Sequence, residues 1–238
     1  AVLTARSGAG NVATVAAPAV RADFSRTEGL RTWSASGGVR AETAGPRGPG
    51  RVLQGQEARF DADRVLRVSG PAGGRASADS AEARIEAAAI ELAAGTGDLG
   101  AEGGVGGVLK KGGGNPRTGF FAGDEDVPFS CRTLRMTAGG GPVRLSGDAL
   151  VRQGSAAVRG GEIELVGANG RMTGGGGVAV ALPEAGPEGH PERTVEIAGR
   201  EMSFSPETGT LALSGGAAVG LPGARLEAGS LAAVLSPD

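Results

Sequence analysis

The two residue types most often used at catalytic and zinc centres occur once each in this sequence: one histidine, His190, and one cysteine, Cys131. A catalytic triad or a zinc site needs an imidazole beside a nucleophile or beside further ligands. His190 stands in Pro187-Glu188-Gly189-His190-Pro191, a proline-rich run that reads as a solvated loop. Cys131 follows Phe129-Ser130 at the start of an apolar alternation, where a buried structural thiol is expected. A single cysteine forms no intrachain disulfide. Asp124-Glu125-Asp126 offers fewer oxygen ligands, at the wrong spacing, than a calcium loop uses, and reads as a solvated charge cluster. Gly103-Gly104-Val105-Gly106-Gly107 and Gly174-Gly175-Gly176-Gly177 invite comparison with phosphate cradles. Those motifs need a strand before and a helix after, so that helix N–H groups meet the phosphate. Here apolar alternation flanks the glycines on both sides, so turns or bulges are expected. Phe120-Phe121 lies between glycines in a long polar stretch. It reads either as an anchor of that loop onto the core or as a contact for a partner or ligand. No residue set here supports catalysis, a cofactor or a metal, and the chain is not expected to be an enzyme.

The elements that would position such residues are more informative. An apolar triplet returns along the chain, followed at constant distance by a second apolar step and then by glycine. Ile90-Glu91-Leu92 precedes Leu99 and Gly103-Gly104; Ile163-Glu164-Leu165 precedes Met172 and Gly176-Gly177; Met202-Ser203-Phe204 precedes Leu211-Ala212-Leu213 and Gly215-Gly216. From the last triplet residue to the next apolar step the gap is seven residues in all three copies. Looser copies begin at Phe24, at Ala58-Arg59-Phe60 with Leu66-Arg67-Val68, and at Leu134-Arg135-Met136. A fixed repeat predicts a stack of similar units. The period-2 alternation predicts strands, as in Val178-Ala179-Val180-Ala181-Leu182. For residues 80–94, rich in Ala and Glu, a short helix is the rival reading; strand is preferred, with a shift of phase near Ala88. By parity, Phe60, Val68, Ile90, Leu92 and Leu99 face inward, as do Ile163, Leu165, Met172, Val178 and Val180. Met202, Phe204, Leu211 and Leu213 complete the set.

Glycine contributes 46 of 238 residues, and there are six Phe, one Trp and no Tyr. With so few rings, the core must come from Val, Leu, Ile and Ala along a thin interior, and small inward residues leave that interior partly open. Turn signals recur at the spacing of an all-β chain. The three longest stretches without alternation, near 43–51, 110–128 and 183–193, are expected to be surface loops. The even repeat favours one elongated domain over residues 1–238. Lys and Arg total 24 against 26 Asp and Glu, with no basic stripe interleaved with aromatics, which argues against nucleic acid as a partner. No apolar run approaches the ~18 residues of a spanning helix. The first residues, Ala1-Val2-Leu3, lack an initiator methionine, as after removal of a signal peptide or anchor. Edge strands are expected near 12–20 and 226–235, where unpaired backbone groups invite another strand.

Strings such as Arg225-Leu226-Glu227-Ala228-Gly229-Ser230-Leu231, Gly170-Arg171-Met172-Thr173-Gly174-Gly175-Gly176-Gly177-Val178 and Gly209-Thr210-Leu211-Ala212-Leu213-Ser214-Gly215-Gly216 resemble the OstA-like repeats of the LptA-like lipopolysaccharide-transport family (LptA, LptC and the N-terminal part of LptD). The resemblance covers about residues 24–235. It implies a twisted, V-shaped β-jelly-roll with an open apolar groove, located in the periplasm. Such modules stack end to end, with themselves or with other bridge proteins, and carry lipopolysaccharide or a related lipid toward the outer membrane. Acyl chains slide inside while sugars stay outside. On this expectation the fourteen inward residues named above are groove candidates. Each buried CH2 of an acyl chain gains about 0.8 kcal/mol, and a uniform trough repeats that gain at every step, so transport needs no catalysis by the module.

Two rival readings follow from the same residues. A structural or adhesive surface β-solenoid would have a closed, packed core; the irregular unit spacing argues against it. A β-sheet enzyme acting on carbohydrate would need a convergent carboxylate pair and aromatic sugar platforms, which a chain without Tyr does not supply.

Overall fold

In the computed structural model the described residues are all-β, with no helix among them. The description covers the chain except residues 7–11, 26–28, 46–47, 62, 111–125, 167–169, 185–192, 222–223 and 236–238. The chain divides into two compact units: Ala1–Gly114 with Thr133–Gly139, and Asn115–Arg132 with Gly140–Asp238.

In the first unit, three long strands each pair along their length with two short ones. Strand β4 (Gly29–Gly45) pairs with β2 (Val12–Ala16) through its later half and with β3 (Ala19–Ser25) through its earlier half. Strand β5 (Gly48–Phe60) pairs likewise with β7 (Ala76–Ser80) and β6 (Val65–Ser69). Strand β10 (Leu99–Leu109) pairs with β8 (Ala83–Ala87) and β9 (Ala89–Ala93). A long strand with two partners must turn a corner between them, and the bulges show where. In β4, Ser36 faces Glu57 and Val39 faces Gly55, so Gly37-Gly38 is inserted against one residue of β5. In β10, Gly103-Gly104 occupies the same place between the segments facing β9 and β8. An extra residue bends the strand and increases its twist. Each unit therefore consists of two half-sheets hinged along a row of corners, with their apolar faces turned inward.

The second unit repeats the device. Its strands include β12 (Val143–Gln153), β13 (Ala156–Val166), β14 (Arg171–Gly175), β15 (Val178–Glu184), β16 (Arg193–Gly199), β17 (Glu201–Ser205), β18 (Thr210–Leu221) and β19 (Ala224–Val234). The insertions are Gly147-Asp148 in β12, Gly176-Gly177 between β14 and β15, and Gly215-Gly216 in β18. All five doublets have positive φ at both residues, from 53° at Asp148 to 96° at Gly38. That backbone region is costly for a side-chain-bearing residue, and space is the second constraint. A Cβ on Gly103 would lie 2.5 Å from Ala88 Cβ, and one on Gly215 would lie 2.6 Å from Arg200 Cβ. Ala88 and Arg200 are the breaks between β8 and β9 and between β16 and β17, so glycines and breaks form one line across each unit. Nine of the 46 glycines stand at these corners.

The constant gap of seven is a hairpin. Leu92 pairs directly with Leu99, Leu165 with Met172, and Phe204 with Leu211. Each turn places a left-handed residue two positions before the second apolar residue: Gly97, Gly170 and Gly209. In the shorter turn from Phe60 to Leu66 the non-glycine Arg64 takes that place, at φ 62°.

Residues 83–93 form strands β8 and β9, as the alternation predicts, and the phase shift near Ala88 is a corner. Two expectations are corrected in detail. The stretch near 43–51 is mostly strand rather than loop, because Thr43 pairs with Arg51 and Gly45 with Gly48. Within the expected N-terminal edge near 12–20, Val12–Ala16 is not an edge, because it pairs with both β4 and β1 (Val2–Arg6), whereas Ala19-Val20 opens β3, which pairs with β4. Among the described residues, β1, β3 and β19 are the strands paired on one side only.

Candidate functional site

The inward parity defines the interior of each unit. In the first, Val68 and Ile90 have no exposure, and Leu92 and Leu99 retain 5% and 3%. Around them lie Leu53, Ile85, Leu134 and many buried alanines. In the second unit Ile163, Leu165, Met172, Val178, Val180, Met202, Phe204, Leu211 and Leu213 are all buried, together with Val143, Leu145, Val151 and Val158. The exception in the set is Phe60, which is half-buried. It stands at the end of β5 and stacks on its cross-strand partner Trp33, with centroids 6.2 Å apart and planes 8° from parallel. Outward positions carry the charges. Arg67 Nε donates to Glu91 Oε1 at 2.6 Å, and Arg144 Nε donates to Glu164 Oε2 at 2.8 Å. Both are direct cross-strand neighbours. Being exposed, these pairs favour the register more than they stabilise the fold.

One charged group breaks the inward pattern. Arg51 stands two residues before Leu53 on β5, with only 4% exposure, and Glu82 in the β7–β8 turn has 7%. Their closest atoms, Arg51 Nη2 and Glu82 Oε2, are 3.7 Å apart. Arg51 Nη1 donates to the carbonyl of Gly97 in the β9–β10 hairpin. Burial pulls the guanidinium pKa down, and the nearby carboxylates of Glu82 and Asp98 oppose that shift. Asp98 is held below the usual carboxylate range, first by the Ala138 N–H at 3.0 Å and then by the Thr96 hydroxyl at 2.7 Å. Arg51 is not among the inward residues expected from the sequence, because the stretch near 43–51 reads as a loop to which no parity applies.

Cys131 is buried and unpaired by any disulfide. Burial pushes its thiol up to about 11, partly offset by the backbone of Ser146. A thiol so placed is a packing residue. Among the described residues no three His, Cys, Asp or Glu side chains gather as metal ligands. His190, Phe120, Phe121, Asp124 and Glu125 lie outside the described residues; Asp126 is exposed just before β11 (Val127–Met136).

Among the described residues, the exposed large hydrophobic side chains are Val2, Phe24, Leu226 and Val234, at 59–73% exposure. All four sit on strands paired on one side only: β1, β3 and β19. On β19 the first seven residues are exposed without alternation. The pairing of Leu235 N–H with Gly209 O at 2.8 Å fixes which way the backbone groups point. By the two-residue period of a ladder, Ala233 N–H faces β18, whereas Ala232 and Val234 present theirs outward. No helix among the described residues is long and apolar enough to cross a membrane. No family model matches the chain, and no curated protein matches it.

Proposed function

We propose that this chain is a non-catalytic, lipid-binding bridge module of the β-jelly-roll type. In this reading the acyl chains of lipopolysaccharide, or of a related amphiphile, occupy the apolar interior between the half-sheets. The units continue end to end, in the periplasm, with further copies or with other bridge proteins. The observation that carries the reading is the distribution of apolar surface. It forms an aliphatic, ring-poor lining inside each unit and reappears at the one-sided strands, where a following module would pair. β-Augmentation at β19 would give the contact its direction through backbone hydrogen bonds. Apart from Phe60, the parity residues are buried in the structure, so acyl chains enter only if the half-sheets part along the side opposite the corners. The gain of about 0.8 kcal/mol per CH2 is available to drive that separation.

The close burial of the same residues favours a second reading, a structural β-stack whose interior stays dry. Sedimentation with radiolabelled lipopolysaccharide separates the two. Comigration that free fatty acid competes away supports the carrier. Failure to comigrate at any lipid concentration supports the structural stack.

A further inference from the structure

We propose that Arg51, Glu82 and the Gly97 carbonyl form a latch that closes the interior of the first unit on the side opposite its corners. This inference rests on the carrier reading for its purpose, but not for its test. Along β5 the corner lies at Gly55, Leu53 fills the interior, and Arg51 is the next inward position outward from the hinge. Along the other half-sheet the order from the corner is Ala88, Ile90, Leu92 and then the hairpin containing Gly97. Arg51 therefore reaches from one half-sheet to the far end of the other. Glu82 closes the same rim from the β7–β8 turn, where Ser80 Oγ accepts its N–H at 3.2 Å.

The latch is weakly held by construction. Arg51 Nε and Nη2 are buried without a hydrogen-bond partner, and a buried cation so placed gives up hydration that the single bond to Gly97 replaces only in part. Opening returns the guanidinium and the Glu82 carboxylate to water, which offsets part of the cost of exposing Leu53, Ile85 and Leu99. An apolar pair in place of the charges would lose that advantage and hold the rim shut.

Hydrogen exchange on the full chain tests this without lipid. Arg51→Ala removes the bond to Gly97 and the guanidinium 3.7 Å from the Glu82 carboxylate. Amides of residues 93–99 and 80–83 should then exchange roughly tenfold faster or more, while those at the corner, such as Gly70 and Ala88, keep their rates. Arg51→Met/Glu82→Met should exchange at the rim at least as slowly as the parent. Unchanged rim exchange in Arg51→Ala, a uniform acceleration through the first unit, or a faster rim in the double variant overturns the latch. If Arg51→Ala does not fold, the double variant alone decides. A chain that shows the expected exchange pattern yet never comigrates with lipopolysaccharide would retain the latch and lose the carrier function.

Discussion

The corner geometry makes a sharp prediction at Gly103 and Gly104. The two residues have nearly the same backbone conformation, φ 83° and 77°, but different surroundings. A Cβ at Gly103 would meet Ala88 Cβ at 2.5 Å, whereas one at Gly104 meets only Arg75 Nη2, at 4.0 Å. Gly104→Ala therefore bears the left-handed cost of about 1–2 kcal/mol, reduced by the lower entropy of its unfolded chain, about 0.4–1 kcal/mol. A net loss near 1 kcal/mol is expected. Gly103→Ala bears the same backbone cost plus a carbon–carbon contact far inside the optimum of about 3.5–4.0 Å, for which overpacking adds about 1–3 kcal/mol. Adding Ala88→Gly removes the atom in the way, so the double variant should be more stable than Gly103→Ala alone, despite the usual cost of glycine. Trp33 is the single tryptophan, lies in the first unit and is 5% exposed. Its fluorescence during urea unfolding reports this unit directly. Equal losses for the two single variants, or a double variant worse than Gly103→Ala, would refute the close approach of the corner to the strand break.

Four further outcomes follow from other parts of the structure. Arg64→Gly should stabilise the first unit by up to about 1 kcal/mol, because Arg64 occupies a left-handed position at φ 62° where the sister hairpins use glycine; thermal melts check it. Phe204→Ala, at 2% exposure, should cost about 3–5 kcal/mol, read from far-UV dichroism during urea unfolding. Because the folded Cys131 thiol is raised to about 11, the folded state holds its proton longer than the unfolded chain. The resulting stabilisation is complete below about pH 8.5 and is lost as pH rises toward 11. Cys131→Ala should flatten that part of the pH–stability curve, and the native thiol should resist alkylation at pH 8. Ala232→Pro removes an outward N–H of β19 and should weaken concentration-dependent association in light scattering. Ala233→Pro breaks the ladder to β18 instead and should lower stability.

Much of this architecture was readable from residue order. The triplets gave the inward faces, because a two-residue period leaves a half-buried strand no other choice. Glu91, Glu164 and Ser203 fall outward as that parity requires. The gap of seven was visible as a constant, but its meaning as a hairpin closed by Gly97, Gly170 or Gly209 needed the pairing. Glycine doublets were legible as bulges; their alignment with Ala88 and Arg200 was not, since it depends on contacts between strands distant in sequence. The segment 43–51 misled because Gly and Pro are turn formers, yet its backbone extends into a β4–β5 pairing supported by neighbours on both sides. Arg51 was hidden for a related reason. Its burial comes from Glu82 and Gly97, which are remote in sequence, and local composition does not report them. The division into two units left no trace in composition, because both are built from the same repeat.

On the carrier reading proposed above, the apolar interior receives acyl chains. Photocrosslinking residues placed singly at Met202 and Phe204, and as controls at Ser203 and Glu164, test it in the presence of lipopolysaccharide. Lipid adducts are expected from positions 202 and 204, and few from 203 and 164. Equal capture at all four, or capture at none while the variants remain folded, would contradict it.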